Sequence, residues 1–482
     1  MEPQILGYNN NGNCLSDSDI ITWFEDVSKN AGSVQTQTLC KILKQNCGVE
    51  YLKKWLGDYN ISEMDASALE SLFTSVVPLA SHKDFEPYIR NIADGDTAPI
   101  LTQQPITTLS LRLCSSGTTE GKQKLVPFTR HSAQTTLQTF TLAAAYRSRV
   151  YPTREGGRIL EFIYSSNHFK TKGGLTVGTA TTHYYASEEF KTKQEKTKAF
   201  TCSPYEVISG GDYKQSTYCH LLLGLFFSDH VEFISSAFVY GIVQAFCTFE
   251  EVWKDLCNDI RDGTLSSRIK LPKMREAVLG IITSNPSLAS KLEATCLELE
   301  DVDWFGLVPK LWPNAKFVCS IMTGSMQPYL KKLRHYTNGV PLISGDYGST
   351  ESWIGVNVDP SLAPEKVTFA VVPTFSYFEF IPLYYRQKQG CSSVADHDFM
   401  EEEPIPLSQV VHKSLFVTPN KLFQTFGSPT QQKFFHTVWQ DWLEPLSSHK
   451  IMLSVETLFR KEAIDDPQLD MNKDMYRIIS YL

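Results

Sequence analysis

Apolar residues recur every three or four positions through the first part of the chain, with polar residues between them. From Ile20 to Leu43 this apolar series comprises Ile21, Phe24, Val27, Val34, Leu39 and Ile42. Val49 to Leu56 continues the same pattern. This spacing places apolar side chains on one face of a helix. The sequence therefore predicts that the first hundred residues are mainly helical.

From about residue 106 the pattern becomes one of strands that alternate with helices. Between Ile106 and Cys114, leucines at 109, 111 and 113 alternate with Ser110, Arg112 and Cys114, which is typical of a strand. A helix is predicted at Ala133–Val150. Further strands are predicted at Arg158–Tyr164, Lys316–Met322 and Val340–Ile343, with a strand pair, Val367–Val372 and Tyr377–Leu383, around Pro373. Several of these strands end in Gly, Ser and Thr, which favours an α/β fold with its site at the carboxyl ends of the strands.

The most apolar stretch of the chain runs from Leu221 to Phe246. Asp229, His230 and Glu232 interrupt it, so it lacks the roughly 20 apolar residues that a membrane span needs. A buried helix pair is predicted there instead. Near the end of the chain, Asp396–Pro406 is acidic and predicts a solvated linker, and Gln431–Leu443 predicts an amphipathic helix.

Composition and charge narrow the class of protein. The 482 residues carry 45 basic and 53 acidic side chains, a net charge of −8, which argues against a nucleic-acid coat and a polybasic membrane anchor. The 11 cysteines form no C-x-x-C pair, and no H-E-x-x-H motif occurs, so reduced thiols are expected. The N-terminus shows no signal-peptide pattern, and we expect a cytoplasmic protein.

A loop rich in hydroxyl groups and glycine follows the strand that ends near Cys114. It reads SSGTTEGKQK from Ser115 to Lys124. Backbone N–H groups in such a turn form an anion site, and Lys124 adds positive charge. A lysine follows Gly121 but no Ser or Thr follows that lysine, so the Walker pattern of P-loop ATPases is absent. The sequence predicts a phosphate-binding loop, with a flexible surface loop as the alternative.

Two more turns follow predicted strands. In Tyr347–Glu351, the tyrosine ring can stack on a base, the hydroxyl groups can contact phosphate, and Glu351 is a candidate Mg²⁺ ligand. Taken alone, a glutamate such as Glu351 is more often a solvated surface carboxylate, and the metal-ligand interpretation is preferred only when it is paired with the hydroxyl-rich loop at 115–124. Thr323–Met326 is a weaker third candidate, which matters only if all three turns converge at one edge of the sheet.

The spacing of S-S-G-T-T-E-G-x-x-K and Y-G-S-T-E resembles the paired phosphate and adenine loops of the adenylate-forming superfamily. Within it, the chain from about Trp23 to about Val410 resembles the plant auxin-responsive Gretchen Hagen acyl-acid–amido synthetases, most of all the jasmonoyl-L-amino acid synthetases. The supporting segments are Gly173–Thr182, Tyr218–Leu222, Leu311–Lys316, Met322–Met326, Tyr377–Phe380 and Ser352–Ile354.

The resemblance implies a ligase that uses ATP and Mg²⁺ to join an acyl acid to an amino acid through an acyl-adenylate. Jasmonate is the expected acid, with an auxin such as indole-3-acetate or a benzoate as the alternatives. It implies small-molecule partners, no nucleic acid, no membrane and a monomer. A non-catalytic protein that binds nucleotide or acyl acid is the alternative from another class.

The resemblance also implies a role for each matching residue. The catalytic residues would be Glu351, which also contacts the metal, and Lys124. The nucleotide would be bound by Ser110, Ser115, Ser116, Gly117, Thr118, Asp346, Tyr347, Gly348, Ser349 and Thr350. The acyl-acid pocket would contain Thr136, Ala237 and Trp353, and the amino-acid site would contain Gly178, Ala180, Thr181 and Thr182. From the residues alone, core packing is the preferred interpretation of Thr136 and Trp353.

The sequence departs from the family pattern in two places. Arg112-Leu113-Cys114 resembles a three-residue insertion, which would reverse the faces of the strand unless a bulge absorbed it. We divide the chain into a polar tail at 1–22, a large acyl-adenylating domain at 23–410 and an atypical C-terminal tail at 411–482. This C-terminal tail is the second departure. Because it does not resemble the family's small mobile domain, we expect reduced or lost activity.

Overall fold

The computed structural model describes residues 15–112, 124–165, 168–349 and 351–386, together with short strands at 398–401, 405–406, 416–417 and 476–481. The helices of the first half are α1 Asp17–Lys29, α2 Ala31–Asn46, α3 Glu50–Leu56, α4 Ala66–Val76, α5 His82–Asp94, α6 Arg130–Val150, α7 Ala180–Ala186, α8 Glu188–Thr197, α9 Tyr205–Ser209 and α10 Tyr213–Phe226. The helices that follow are α11 Val239–Asp262, α12 Pro272–Leu279, α13 Pro286–Glu300, α14 Leu307–Leu311 and α15 Leu330–Thr337.

The strands form four sheets. The hairpin sheet has the order β2-β1-β5-β4, from β1 Thr108–Arg112, β2 Lys124–Phe128, β4 Phe169–Lys170 and β5 Thr176–Gly178. The parallel sheet has the order β3-β6-β7-β8, from β3 Arg158–Phe162, β6 Val231–Phe238, β7 Phe317–Ile321 and β8 Leu342–Ile343. The antiparallel sheet has the order β15-β11-β10-β9, from β9 Asp346–Gly348, β10 Trp353–Asn357, β11 Phe369–Val371 and β15 Phe416–Val417. In the C-terminal sheet, β12 Tyr377–Arg386 pairs with β13 Asp398–Glu401, β14 Ile405–Pro406 and β16 Tyr476–Tyr481.

The helical prediction for the N-terminal region is confirmed. Ser16 caps α1 through reciprocal hydrogen bonds with Asp19, which satisfy backbone N–H groups that a helix start leaves unpaired. Ile20, Ile21 and Phe24 are buried against α6. Residues 17–22, which the sequence analysis places in the polar tail, are therefore part of a packed helix.

The main core lies around the parallel sheet. Buried side chains along α11 include Ile242, Phe246, Phe249 and Trp253, and this helical spacing forms a continuous apolar face. The prediction of a buried helix pair over Leu221–Phe246 is confirmed in part: α10 and α11 pack against each other, but the residues between them form the strand β6, which the prediction missed. Polar residues after Phe227 end α10, and the apolar residues that follow enter the sheet between β3 and β7.

The pairing of β1 with β2 in the hairpin sheet shows how the strand runs up to the apparent insertion at Arg112. β1 pairs with β2 in an unbroken antiparallel register from Thr108 opposite Phe128 to Arg112 opposite Lys124. The strand therefore reaches Arg112 without a bulge. Residues 113 and 114 lie outside the described residues.

Two other predictions are corrected. The strands predicted around Pro373 do not pair with each other: β11 lies in the antiparallel sheet and β12 in the C-terminal sheet. The acidic segment Asp396–Pro406 is not purely a linker, because backbone pairing with β12 places 398–401 and 405–406 in strands. The helix predicted at Gln431–Leu443 lies outside the described residues. Within the described ranges, no helix is long and apolar enough to cross a bilayer.

Candidate nucleotide and acyl-acid site

Helix α6 connects the parts of the predicted site. Thr129 caps its first turn by accepting a hydrogen bond from the backbone of Ser132, and the helix then runs 21 residues to Val150. It packs against β2, α7, β9 and β10. Three parts of the predicted site therefore adjoin one helix: the strand that follows the phosphate loop, the amino-acid segment at 178–182 and the turn Tyr347–Glu351, called the adenine turn below.

The predicted acyl-pocket residues Thr136 and Trp353 lie in direct contact. The indole N–H of Trp353 donates to Oγ1 of Thr136 at 2.9 Å, across 217 positions in the chain. Phe140, one turn further along α6, meets the Trp353 ring edge-on with centroids 5.4 Å apart, and Tyr184 packs on Phe140 in the same way at 5.6 Å. This group forms an aromatic wall with one polar contact. Ala237 lies on β6 of the parallel sheet.

The adenine turn is a compact β-hairpin. Gly348 on β9 pairs with Trp353 on β10, and a Cβ added to Gly348 would lie 2.7 Å from the indole ring. A side chain at this position would therefore displace the tryptophan. Oγ of Ser349 accepts from the backbone N–H groups of Glu351 and Ser352, each at 3.3 Å, which holds the turn closed. Thr350 lies outside the described residues.

Two ionisable groups of β9, Asp346 and Tyr347, have raised pKa values. Tyr347 stacks on Phe369 with centroids 5.6 Å apart, and burial raises the pKa of its hydroxyl to about 12, so it is neutral at pH 7. Burial also raises the pKa of Asp346 to about 6, while the positive charge of Arg147 acts in the opposite direction. A carboxyl group with such a pKa changes its charge close to physiological pH.

The third turn, Thr323–Met326, adjoins the adenine turn. The backbone N–H of Met322 donates to Oγ of Ser344 at 3.4 Å, and the side-chain amide of Asn357 donates to the carbonyl of Ser344 at 2.8 Å. Thr323 is buried and begins the 3₁₀ helix Gly324–Tyr329. The carboxyl ends of β7 and β8 therefore lie side by side, whereas convergence of all three turns stays a prediction, because residues 115–123 lie outside the described residues.

The predicted amino-acid segment lies beside the strand that leads to the phosphate loop. Gly178 on β5 pairs with Ser110 on β1 in parallel register. Thr179 caps α7, and its hydroxyl lies 3.0 Å from that of Thr181 and 2.9 Å from that of Thr182. Ala180 is the first residue of α7.

Ser110 is a buried residue whose hydroxyl has no hydrogen-bond partner within the described residues. Leaving such a group unpaired costs free energy, so a polar partner is expected at this position. The predicted role of Ser110 at a nucleotide stays a prediction.

The predicted phosphate loop, Ser115–Lys124, lies outside the described residues except for Lys124. Ser115, Ser116, Gly117 and Thr118 lie outside the described residues, so their predicted roles stay predictions. Lys124, the first residue of β2, is partly buried at the end of the hairpin from which this loop leaves. Within the described residues, the connection between Lys124 and the turn at Tyr347–Glu351 is indirect, because α6 packs against both β2 and β9.

ATP and Mg²⁺ are compatible with the described side chains. Within the described ranges, no group of three His, Cys, Asp or Glu residues could hold a metal ion. Mg²⁺ in nucleotide sites is held by one or two carboxylates, substrate phosphates and water, so a single carboxylate suffices. Glu351, partly buried in the adenine turn, would be that ligand.

Three residues near the site are not predicted by the sequence analysis. Phe140 and Arg147 lie on the same face of α6 as Thr136, since they follow it by 4 and 11 positions. That spacing is the signal that could have identified them. The Nε2–H group of His183 donates to the carbonyl of Leu109 at 2.9 Å, and only the fold brings these two together.

The Tyr218–Leu222 segment, by contrast, is part of the core. His220 is fully buried, with Nδ1 2.7 Å from Oγ of Ser203 and Nε2 3.0 Å from the carbonyl of Ile163. Burial lowers the pKa of His220 to about 4, so the ring is neutral at pH 7. Both ring nitrogens are occupied, which indicates a structural role.

A model of the GH3 family N-terminal domain matches residues 20–342. The chain belongs to the GH3 family. An Arabidopsis thaliana relative, "Indole-3-acetic acid-amido synthetase GH3.10", is 62% identical over 464 residues, covering 96% of this chain and 76% of the relative. A Nicotiana attenuata relative, "Jasmonoyl--L-amino acid synthetase JAR4", is 47% identical and covers 81% of this chain and 64% of the relative.

The fold is similar to that of a solved GH3 structure. "AtGH3.15 acyl acid amido synthetase in complex with 2,4-DB" matches with a TM-score of 0.66 and 30% identity, covering 76% of this chain and 61% of that one. The predicted family, the mixed α/β fold and the relation to acid–amino acid ligases are thereby confirmed. The chain spans about two thirds or less of the length of JAR4 and of this solved relative.

Proposed function

We propose that this protein uses ATP to join an acyl acid to an amino acid. The observation that carries the proposal is the Trp353–Thr136 contact, because it brings the predicted acyl pocket and the adenine turn to one face of α6. The amino-acid segment on α7 packs against the same helix. ATP, the acyl acid and the amino acid must react in succession, so their subsites must be neighbours. The rate of each step depends mainly on how the reacting groups are positioned relative to each other.

The proposed reaction has two steps. An oxygen of the acid's carboxylate bonds to the α-phosphorus of ATP while the bond to pyrophosphate breaks. The amine of the amino acid then bonds to the acyl carbon, AMP leaves and the amine's proton passes to solvent. Mg²⁺ would neutralise the charge of the phosphates.

The chain's own residues bind and orient the reactants in this proposal. Glu351 would hold Mg²⁺, and Lys124 would add positive charge beside the phosphates. Tyr347, neutral and held against Phe369, would keep its ring in place beside the base. Trp353 and Thr136 would wall the acyl pocket, away from water.

We propose jasmonate as the acid, with indole-3-acetate as the second candidate. Jasmonate is supported by the resemblance of Thr179–Thr182 and Ser352–Ile354 to the jasmonoyl-L-amino acid synthetases and by the name of the 47% identical relative. Indole-3-acetate is favoured by the name of the 62% identical relative. The aromatic wall of Phe140, Trp353 and Tyr184 suits an apolar ring in either acid.

The test is acid-dependent exchange between ATP and labelled pyrophosphate, with jasmonate, indole-3-acetate and benzoate in separate assays. We expect exchange with at least one acid, and amide product once amino acids are added. Glu351→Gln should abolish exchange, whereas Glu298→Gln, an exposed residue paired with Lys310 on the protein surface, should not change it. ATP binding without exchange for any acid would instead favour a non-catalytic binding protein.

A further inference from the structure

Glu161 is a partly buried carboxylate on β3, in the face of the parallel sheet that is turned away from α11. Its neighbours Leu160 and Phe162 belong to the main core with α11, and side chains alternate along a strand, so Glu161 lies on the other face. Within the described residues its one hydrogen bond is a long one, from Oγ of Ser235 at 3.5 Å, and it forms no ion pair. Most of its capacity to accept hydrogen bonds is therefore unused.

Arg147 brings a positive charge to the same region from the last turns of α6. A Cβ built on Gly345 would lie 3.0 Å from Nη1 of Arg147 and 3.3 Å from Sγ of Cys319. The guanidinium and the Cys319 thiol therefore border the same small space, near the carboxyl end of β7. Arg147 is partly buried, and within the described part of the chain it makes no hydrogen bond or ion pair. Its five N–H donors are thus available to a ligand.

The register of the parallel sheet places the two charges along one row. Glu161 pairs with Ser235, and Ser235 pairs with Cys319, so these three residues lie side by side on successive strands. Phe233 and Phe317, two positions earlier on β6 and β7, stack with ring centroids 4.6 Å apart, which shows that paired residues share a face. Neighbouring strands are about 4.8 Å apart, so the carboxylate and the guanidinium beside Cys319 are separated by roughly 10 Å.

The space between the two charges is open and adjoins the predicted amino-acid segment. Ser235 is partly exposed although β6 is an inner strand, and the faces of such strands are normally covered. Ile163, directly after β3, packs in one cluster with Tyr184 and Tyr185 of α7. Helix α7 contains residues 180–182 of the amino-acid segment and packs against α6, which carries Arg147. The two charges therefore border a cleft between α6, α7 and the sheet.

We propose that Glu161 and Arg147 bind the two charged groups of the amino-acid substrate, Glu161 its ammonium group and Arg147 its carboxylate. The inference rests on the proposed function, because it assumes that an amino acid is a substrate. An ammonium group only donates hydrogen bonds and an ionised carboxylate only accepts them, whereas a guanidinium binds a carboxylate through two parallel N–H···O bonds. The separation of roughly 10 Å leaves room for the head group and a hydrogen bond of about 3 Å on each side.

This arrangement also separates two tasks of the site. The ammonium and carboxylate groups are common to all amino acids, so Glu161 and Arg147 would orient the amine without selecting the side chain. Selection among amino acids would then depend on other residues of the cleft.

The test is calorimetric titration of the full chain with Mg²⁺–ATP present and no acyl acid, so that no reaction occurs. Each protein amino acid is a first probe. The amide and the N-acetyl derivative of the amino acid that binds best are the second probes, since the amide lacks the carboxylate and the N-acetyl derivative lacks the ammonium group. Each derivative should bind the wild-type protein at least about tenfold more weakly than its parent, because it loses one charge-assisted contact.

Two variants assign each contact to its residue. Arg147→Met should weaken binding of the amino acid at least about tenfold and leave binding of the amide unchanged, because the amide has no carboxylate to lose. Glu161→Gln should weaken binding of the amino acid by a similar factor and leave the N-acetyl derivative unchanged. A merely structural role of either residue would weaken the parent and its derivatives alike.

Two exposed residues provide matched controls. Arg149 lies on the same helix as Arg147, near Glu25, and Glu155 lies just before β3. Arg149→Met and Glu155→Gln should bind the amino acid as the wild-type protein does. Thermal melting of each variant checks that it is folded, and the derivatives test the wild-type protein without any substitution.

The inference is overturned if no amino acid binds, or if the amide and the N-acetyl derivative bind the wild-type protein as tightly as their parent. It is equally overturned if folded Arg147→Met and Glu161→Gln change the affinity for jasmonate or indole-3-acetate but not for the amino acid. The proposed function fails separately, if amino acids bind with the expected pattern but no acyl acid supports pyrophosphate exchange.

Discussion

At the scale of single residues, Thr136 uses its hydroxyl group twice. It donates to the carbonyl of Ser132 at 2.7 Å and accepts from the indole of Trp353 at 2.9 Å. From sequence, Thr136 on a helix and Trp353 on a strand are each consistent with ordinary core packing. Their hydrogen bond is a long-range contact, so no local pattern could have predicted it.

A double-mutant cycle tests this contact. Thr136→Val keeps the shape of the side chain and Trp353→Phe removes the donor, so each variant should lose the same hydrogen bond. We expect a coupling of about 0.5–1.5 kcal/mol in the free energy of unfolding. Denaturant unfolding of both single variants and the double variant gives the value. Strictly additive effects would show that the bond contributes nothing to stability.

At the scale of elements, the β9–β10 hairpin depends on close contact between its strands. Gly348 lies against the Trp353 ring, and the tight turn at Ser349 closes the hairpin. In the sequence analysis, the family resemblance implies that Gly348 contacts the nucleotide. The structure shows that Trp353 occupies the space a side chain would need, so the glycine is required by packing within the protein.

Gly348→Ala should therefore displace Trp353. We expect a loss of about 1–3 kcal/mol in stability, together with weaker binding of the acyl acid. Gly280→Ala is the control, since a Cβ there would meet its nearest atom at an ordinary 3.4 Å. Thermal melting and acid titration measure the two effects. Unchanged melting of Gly348→Ala would contradict the packing argument.

At the scale of the whole molecule, the two ends of the parallel sheet differ: the candidate site lies at the carboxyl ends of its strands, and a buried ion-pair group lies at the amino ends. The carboxyl ends of β7 and β8 carry the turns of the site. At the amino ends, Glu232 on β6 is 1% exposed and forms ion pairs with Arg154 before β3 and with Lys316 before β7, the latter at 2.6 Å. Burial raises the pKa of this carboxyl group, but the bonds from Lys316 and Arg154 outweigh it, and the net pKa is lowered.

Glu232→Gln should destabilise the fold without changing the site. Two partly exposed cations would lose their partner, which we expect to cost about 1–3 kcal/mol in unfolding free energy. The KM values for ATP and acyl acid should stay at their wild-type values. Glu365→Gln, which removes the exposed pair with Arg334, is the control and should cost less than about 1 kcal/mol. A changed KM would show that the two ends of the sheet are coupled.

The helices and strands that the sequence predicts correctly are those whose apolar spacing is local. The N-terminal helices, α6, β3 and β7 lie where the periodicity predicts them. The errors arise where apolar runs carry no period, as in Leu221–Phe246, where a buried strand resembles a buried helix. Strand pairing around Pro373 was missed because partners are chosen by tertiary packing and not by proximity in the chain.

The chain by itself determined the family, the α/β architecture and the chemistry of the turns, because motif residues and their order are written in the sequence. Tertiary structure alone decided which groups meet: Trp353 with Thr136, His183 with the carbonyl of Leu109, and Arg147 with the backbone at Gly345. These contacts join residues far apart in the chain. Burial and neighbouring charge, which set the pKa of Asp346, likewise exist only in the folded molecule.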